Sequence, residues 1–196
     1  MTRTTFALIR HGQTDWNAER RLQGSADIPL NDVGRQQALD AVAALSIYEW
    51  DVVVSSPLSR ASETADLIAD GLGLSVTARR EALQERNYGL AEGLQAGPEL
   101  EAMRIPGGFK EAEDAEATAR RGLCALEELA ADFPGQRILV VSHGTLLRLS
   151  LGKALGQELP GIENAVLNVA HHRQNHDGSA GWEIEFFNGE RAELAA

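Results

Sequence analysis

Two apolar segments that each stop at a histidine followed by a glycine place the strongest constraint on how this chain can fold. Residues 6–9 lead into Arg10-His11-Gly12, and residues 138–141 lead into Ser142-His143-Gly144. Short continuous apolar runs indicate strands that are buried in a sheet, and the polar residues and glycine that follow end them. The sequence therefore predicts two buried strands that each present a histidine at the carboxyl end.

The rest of the chain alternates between strand-like and helix-like patterns. Further strands are predicted at residues 51–56, 74–78, 165–169 and 182–186, and helices at residues 32–45, 57–72, 119–133 and 147–155. Asn31 and Ser56 are the expected caps of the first two helices. In the first helix, Leu39, Val42 and Ala43 are expected to face the core. This alternation predicts an α/β fold, a three-layer α/β/α sandwich whose mainly parallel central sheet has an antiparallel edge strand.

No repeat or low-complexity tract divides the 196 residues, so we expect a single domain over residues 1–196. Its least regular stretch, about residues 91–117, is rich in glycine, proline and acidic residues. We expect this stretch to form a lid-like insertion. Asp177-Gly178 predicts a hairpin turn between the last two strands.

Charge and cysteine content narrow the classes of function. The chain has 18 Lys and Arg residues against 29 Asp and Glu residues, a net charge of -11 that disfavours nucleic acid and membrane surfaces as partners. The single Cys124 cannot form an internal disulfide and is expected to be a small buried residue of a helix. No apolar run resembles a signal peptide or a membrane span, so a cytoplasmic protein is expected. The oligomeric state stays open, with a homodimer as one option.

Several reactive side chains should converge at the carboxyl ends of the strands, where open α/β sheets bind ligands. These side chains are Arg10, His11, Arg60, Glu85 and His143. Two imidazoles, two guanidiniums and one carboxylate fit phosphoryl transfer through a phosphohistidine. One histidine would attack phosphorus, the arginines and the other histidine would neutralise charge, and the carboxyl group would protonate the leaving oxygen. The helix that starts after Gly144 would add backbone N–H donors that favour an anion.

Each of these residues also has a purely structural interpretation. His11 and His143 could be capped strand ends, and Glu85 could be a solvated loop carboxylate. Arg60 could form an ion pair with Glu63 or Glu85 on a helix surface. The structural interpretations together require that all of these residues meet at one sheet edge by coincidence. A catalytic site is therefore the favoured hypothesis.

A second histidine cluster comprises His171, His172 and His176. The four-residue spacing of His172 and His176 is typical of metal ligands on a helix. The segment is predicted to be a strand end and a turn, however, so a solvated turn is favoured over a metal site.

Arg10-His11-Gly12-Gln13-Thr14, with Asn17 following, closely resembles the signature of the histidine phosphatase superfamily, also called the phosphoglycerate mutase-like family. Segments that resemble the other blocks of that family follow in the same order, at residues 20–24, 55–65, 83–89 and 141–144. The resemblance implies that His11 is the nucleophile and Glu85 the proton donor. It also implies a phosphate pocket formed by Arg10, Arg60 and His143, with Asn17 as a further phosphate contact.

The same resemblance implies a small phosphorylated substrate and neither a metal nor an organic cofactor. Gln23 and Gly24 lie in one matching block and Arg86 in another, which makes them further candidates for substrate binding. Gly144 belongs to the block that contains His143 and is a candidate phosphate contact.

Within the family, the region around Glu85 lies between a mutase-like and a phosphatase-like pattern. A mutase needs extra cations and must exclude water from its phosphohistidine. The stretch 95–117 is short and net acidic, with Arg104 and Lys110 as its cations, which favours a phosphomonoesterase of the phosphatase branch. Phe109 stands where that branch usually has an acidic residue, so specificity stays open.

Two other functions are kept as alternatives. One is a cofactor-dependent phosphoglycerate mutase, and the other is a non-catalytic module that binds a phosphorylated ligand. A module of the second kind has no need for a proton donor, so the presence of Glu85 argues against it.

Overall fold

The computed structural model describes residues 2–175 and 179–192. The strands are β1 (Thr2–Arg10), β2 (Val52–Ser55), β3 (Ala78–Arg79), β4 (Arg104–Ile105), β5 (Gly108–Phe109), β6 (Arg137–Ser142), β7 (Val169–Gln174), β8 (Ala180–Phe187) and β9 (Glu190–Arg191). The helices are α1 (Asp15–Ala18), α2 (Asp32–Leu45), α3 (Ser59–Gly71), α4 (Pro98–Ala102), α5 (Ala115–Asp132) and α6 (Gly144–Leu155).

The central sheet has the strand order β3-β2-β6-β1-β7-β8-β9. Strands β1, β2, β3 and β6 pair in parallel, whereas β7, β8 and β9 add by antiparallel pairing. Arg10 pairs with Ser142, and Ser55 pairs with Val141. This register brings the carboxyl ends of β1, β6 and β2 level at one edge of the sheet.

Helices cover both faces of this sheet. One core cluster includes Leu126 and Leu129 of α5 and Leu147 of α6, and the other includes Leu45 of α2 and Ile68 of α3. Central strands such as β2 are buried along their whole length, which explains their continuous apolar sequence. The predicted three-layer α/β/α fold, with a mainly parallel sheet and antiparallel edge strands, is confirmed.

Helix α2 has the predicted bounds and the predicted Asn31 cap, but of its three predicted core-facing residues Val42 is half-buried, whereas Leu39 and Ala43 are exposed. Leu39 is 47% exposed, whereas Ala38 and Leu45 are fully buried. The helix lies against the loop after β1, where a Cβ atom on Gly34 would collide with the carbonyl oxygen of Gln13. Small residues face inward because the backbones approach so closely there, and this approach cannot be seen in the apolar pattern of the helix.

Helix α3 begins at Ser59, two residues later than predicted, and Leu58 rather than Ser56 occupies the cap position. The side chain of Leu58 makes no hydrogen bond to the N–H groups at the start of the helix. Instead, Asp27 accepts hydrogen bonds from the backbone N–H and the hydroxyl of Ser59. Ser56 is thereby left at the strand end, where its hydroxyl takes part in the site described below.

The segment at about residues 91–117, expected to be irregular, contains local structure. It holds α4, the β4–β5 hairpin and the first turn of α5, which starts four residues before the predicted 119. A small apolar cluster joins Leu100 and Phe109 of this segment to Tyr88 and Leu22. The segment is therefore packed onto the loops that contain Leu22 and Tyr88.

The predicted strand at 165–169 is wrong in position, because β7 begins only at Val169. Ala165 has a φ of 55°, which interrupts any extended strand before that point. His171 and His172 lie within β7 and are buried, so a solvated turn is wrong for both of them. His176 and Asp177-Gly178 lie outside the described residues.

Cys124 is exposed on α5, which corrects the expectation that it is buried. It lies on the outer side of α5, between the buried positions Gly122 and Ala125. Over the described ranges, none of the helices is both long and apolar enough to cross a lipid bilayer.

Candidate active site

The ends of β1 and β6 place two buried histidines side by side. His11 follows β1 directly, and His143 follows β6 and precedes α6. Their ring centroids are 5.2 Å apart. The backbone N–H of His11 donates to the carbonyl oxygen of Ser142 at 2.9 Å, which fixes the two strand ends relative to each other.

The hydrogen bond of the His11 ring determines which nitrogen is free. Nδ1 of His11 lies 2.7 Å from the carbonyl oxygen of Gly12. A carbonyl oxygen only accepts, so Nδ1 must carry the proton and Nε2 holds a lone pair in the neutral ring. Burial, reinforced by the positive charges of Arg60 and Arg10, lowers the pKa of His11 well below 6.5. The ring is therefore neutral at neutral pH and can act as a nucleophile through Nε2.

Arg60, which is fully buried, and Arg10, which is half-buried, supply positive charge next to this ring. Arg10 donates from Nη1 to the carbonyl oxygen of Ile162 at 2.9 Å. Burial lowers the pKa of Arg10 and lowers the pKa of Arg60 to about 10, so both guanidiniums stay charged at neutral pH. The Nε atoms of both arginines are buried and have no hydrogen-bond partner among the described residues. These N–H groups can donate to the oxygens of a phosphate.

Arg60 is held in place by the loop that precedes Asp27. It donates to the carbonyl oxygen of Gly24 at 2.7 Å and to that of Ala26 at 2.8 Å. The carboxylate of Glu92 holds the same loop, because it accepts from the backbone N–H groups of Ser25 and Ala26. This role of Glu92 has no signal in the sequence, because Ser25 and Ala26 lie more than 60 residues away along the chain.

His143 has different partners from those of His11. Its Nε2 lies 2.8 Å from the hydroxyl of Ser56, and its Nδ1 is buried with no partner among the described residues. Burial, followed by the positive charge of Arg60, lowers the pKa of His143 well below 6.5. His143 is therefore a neutral polar group that can hydrogen bond to a ligand.

The side chain of Glu85 is buried, and its carboxylate lies at the start of α6. Its carboxylate accepts from the backbone N–H groups of Arg86 at 2.8 Å, Leu146 at 2.9 Å and Thr145 at 3.0 Å. Burial raises the pKa of Glu85 above its usual 4.5, although these hydrogen bonds oppose the change. A carboxyl group with a raised pKa keeps its proton to higher pH and can serve as an acid.

The expected N–H donors of α6 are thus partly used within the protein. Those of Thr145 and Leu146 bind Glu85. Gly144 itself lines the cavity, and a Cβ atom there would lie 3.1 Å from Cδ of Arg10. A glycine at this position lets the arginine pass close to the start of the helix.

Asn17 and Gln23 form a linked pair at the edge of the cavity. Asn17 donates from Nδ2 to Oε1 of Gln23 at 3.1 Å. Nε2 of Gln23 is buried without a partner among the described residues and is available as a donor. Gly24 supports Arg60 through its carbonyl oxygen, whereas Arg86 donates to the carbonyl oxygen of Glu113 at 2.8 Å. Neither Gly24 nor Arg86 lines the cavity.

A cavity of about 240 Å³ lies beside these side chains, and neither Arg60 nor His143 is among the residues that line it. Of the predicted site residues, it is lined by Arg10, His11, Asn17, Gln23, Glu85 and Gly144. Sequence reasoning missed four further polar residues that line it, namely Arg21, Tyr88, Thr145 and Arg148. Arg148 follows Gly144 by four residues, and this helical spacing was the one signal that could have indicated it.

A larger groove of about 910 Å³ lies elsewhere, between α2 and residues 161–167. It shares Arg10 with the smaller cavity but contains neither histidine nor Glu85. The chemistry of the side chains, and not the volume, therefore identifies the smaller cavity as the candidate active site. Among the residues that the structure describes, no group of three or more His, Cys, Asp or Glu side chains could hold a metal ion.

Known proteins with related sequences align with this chain over most of its length. The chain is 32% identical over 186 residues to the "Uncharacterized phosphatase PhoE" of Bacillus subtilis (strain 168), covering 94% of each protein. It is 36% identical over 186 residues to a metal-independent phosphoserine phosphatase of Arabidopsis thaliana, covering 87% of this chain and 77% of that protein. Probable phosphoglycerate mutases named GpmB are also similar, for example at 31% identity over 200 residues in Cronobacter sakazakii (strain ATCC BAA-894), covering 91% of this chain and 89% of that protein.

A solved structure has the same fold. The mycobacterial glucosyl-3-phosphoglycerate phosphatase in complex with VO3 superposes with a TM-score of 0.81 at 26% identity, covering 97% of this chain and all of that chain. A sequence model of the histidine phosphatase superfamily (branch 1) matches residues 6–189. The resemblance predicted from the sequence blocks is confirmed, and this chain belongs to the histidine phosphatase superfamily.

Proposed function

We propose that this protein is a phosphomonoesterase of the histidine acid phosphatase type that forms a covalent phosphohistidine on His11. The observation that carries the proposal is the bond from Nδ1 of His11 to the carbonyl oxygen of Gly12. It leaves the Nε2 lone pair free in a cavity that also contains Arg10 and Glu85. A nucleophile, a charged phosphate-binding group and a proton donor thus share one small space.

The reaction follows from these positions in two steps. First, Nε2 of His11 attacks phosphorus, the bond from phosphorus to the ester oxygen breaks, and Glu85 gives its proton to the departing oxygen. Arg10, Arg60, His143 and Asn17 bind the phosphoryl oxygens and stabilise their charge in the transition state. Next, water attacks phosphorus, the bond from phosphorus to Nε2 of His11 breaks, and the Glu85 carboxylate takes a proton from the water, which releases phosphate and restores His11.

The substrate proposed is a small phosphorylated metabolite. The cavity of about 240 Å³ suits a small molecule, and the net charge of -11 disfavours a nucleic acid or an anionic membrane. The relatives reported above act, by their names, on phosphoserine or glucosyl-3-phosphoglycerate, or are probable phosphoglycerate mutases. Each step of the proposed reaction uses side chains of this chain alone, so we propose no cofactor.

A phosphoglycerate mutase is the second candidate, because relatives named GpmB match most of the chain. A mutase must bind a second phosphate and keep water away from the phosphohistidine. Within residues 91–117, Arg104 is paired with Glu101, and Arg86, which precedes this segment, donates from Nε to the carbonyl oxygen of Glu113. Both cations are engaged by other groups of the protein, which weakens them as a site for a second phosphate and favours hydrolysis.

The deciding assay supplies 3-phosphoglycerate with a catalytic amount of 2,3-bisphosphoglycerate and follows free phosphate and 2-phosphoglycerate together. It is run without added metal, beside a panel of other phosphorylated metabolites. We expect phosphate release from at least one substrate and little 2-phosphoglycerate. Rapid formation of 2-phosphoglycerate without matching phosphate would identify a mutase instead.

A further inference from the structure

Arg148 is a cation of the cavity to which neither the sequence patterns nor the proposed reaction assigns a role. It lies on α6, three residues after Thr145 and four after Gly144, and so shares their face of the helix. It is half-buried and lines the same cavity as His11, Glu85 and Tyr88. Its guanidinium is therefore placed to meet a molecule that is bound at His11.

The structure gives Arg148 no hydrogen bond or ion pair with any residue of the described ranges 2–175 and 179–192. The nearby cations differ in this respect. Arg21 is paired with Glu19 and donates to the carbonyl oxygen of Gly93, and Arg86 donates to the carbonyl oxygen of Glu113. Arg148 also borders a groove that contains Glu116, but Glu116 is bound by Lys153 at 2.6 Å.

An arginine without a partner is notable here because acidic residues outnumber basic ones by 29 to 18. The charge of the transferred phosphoryl group is already met by Arg10 and Arg60, whose Nε atoms are free to donate. Arg148 is therefore available for a second anionic group on the substrate. A guanidinium presents a planar pair of donors that matches a carboxylate.

A carboxylate fits this position better than a second phosphate. A phosphate monoester carries a charge of about -1.5 to -2 at neutral pH, and the first phosphate is met by two arginines and a histidine. At the position of Arg148, a single unpaired guanidinium faces a cavity that it shares with the carboxyl group of Glu85. One positive charge balances one carboxylate.

We propose that Arg148 binds the carboxylate of the substrate, and that the substrates are phosphomonoesters of small hydroxy acids or hydroxy amino acids. This inference rests on the proposed phosphomonoesterase function. It adds a class of substrate to that function, and the class is defined by the carboxylate that Arg148 would bind.

Matched pairs of substrates test the proposal. In the first pair, 3-phosphoglycerate has a carboxylate where glycerol 3-phosphate has a hydroxymethyl group. In the second pair, O-phosphoserine has a carboxylate that phosphoethanolamine lacks. For the wild type, we expect kcat/KM to favour the carboxylate in at least one pair. In Arg148→Gln, this preference should fall by about 10- to 100-fold, mainly through KM, since a hydrogen bond to a charged group is lost. Arg148→Lys should restore part of it.

Lys153→Gln is the matched control. It removes the same charge from the same helix at a residue that does not line the cavity, and it should leave the preference unchanged. No carboxylate preference in either pair, or an equal loss on both members of a pair in Arg148→Gln, would overturn the proposal. Hydrolysis of glycerol 3-phosphate or p-nitrophenyl phosphate in those cases would leave the phosphomonoesterase function standing. If the wild type hydrolyses none of these compounds, both proposals fail.

Discussion

His11 and His143 occupy equivalent positions at the ends of neighbouring parallel strands, and yet their ring nitrogens are bound differently. Burial lowers the pKa of both well below 6.5, with Arg60 as the second cause in each case. In His11, Nδ1 donates to the carbonyl oxygen of Gly12 and Nε2 is free. In His143, Nε2 contacts the hydroxyl of Ser56.

The difference shows that burial makes both rings neutral, but only the hydrogen-bond partner decides what a neutral ring can do. A carbonyl oxygen next to Nδ1 fixes one tautomer and leaves Nε2 as a nucleophile. A hydroxyl can donate or accept, so the contact with Ser56 orients His143 without exposing a lone pair at Nε2. We therefore propose attack by His11 and charge stabilisation by His143.

The largest expected effect comes from removing the nucleophile. His11→Ala should lower kcat by about 10⁴-fold or more, since the variant lacks the proposed nucleophile of the covalent intermediate. When the wild type reacts with labelled substrate and the reaction is quenched rapidly without acid, the protein should carry labelled phosphate that is acid-labile and base-stable. The variant should carry none. The circular dichroism spectrum checks that the variant is folded. Full activity of His11→Ala would refute the assignment.

Removing the proton donor should have the next largest effect. Glu85→Gln should lower kcat by about 10²- to 10⁴-fold for an alkyl phosphate, whose leaving oxygen needs a proton. The loss should be much smaller for p-nitrophenyl phosphate, which has a good leaving group. Steady-state kinetics on both substrates measure the difference. An equal loss on both would mean that Glu85 only supports the start of α6.

His143→Gln separates the two histidines directly. The glutamine amide can still donate a hydrogen bond, so we expect kcat to fall by about 10²-fold, the cost of a misplaced donor to the transition state. The variant should still form the phosphohistidine when it is quenched with labelled substrate. Absence of labelled protein in this variant, together with labelled protein in His11→Ala and normal folding of both, would show that His143 rather than His11 carries the phosphoryl group.

The pH profile is expected to give the smallest effect, about tenfold per pH unit on each limb. His11 must be neutral, and its pKa lies well below 6.5, so activity should persist below pH 6.5 before it falls. Glu85 must be protonated for the first step, and its pKa is raised above 4.5, so activity on an alkyl phosphate is lost as the pH rises through that raised value. Substrate ionisation affects the wild type and Glu85→Gln alike. An alkaline limb that is identical in both would contradict the assignment of Glu85.

Much of the site could be predicted because its residues belong to short blocks that end strands. The register that pairs Arg10 with Ser142 then brings His11 and His143 together, as expected for parallel strands in one sheet. Glu85 and Asn17 were also found from their blocks, and both line the cavity. Arg148 and Glu92 were missed because their positions depend on contacts between segments that are distant in the sequence.

The sequence by itself determined the order of strands and helices, the layered α/β class and the family, because these follow from apolar periodicity and local motifs. Only the tertiary structure decided that Ala38 rather than Leu39 faces the core and that Cys124 is exposed. It alone decided that His171 is buried in a strand and that the N–H groups at the start of α6 bind Glu85. The physical reason is that a side chain's surroundings depend on which backbones approach it, and a pattern within one segment carries no information about the neighbouring segment.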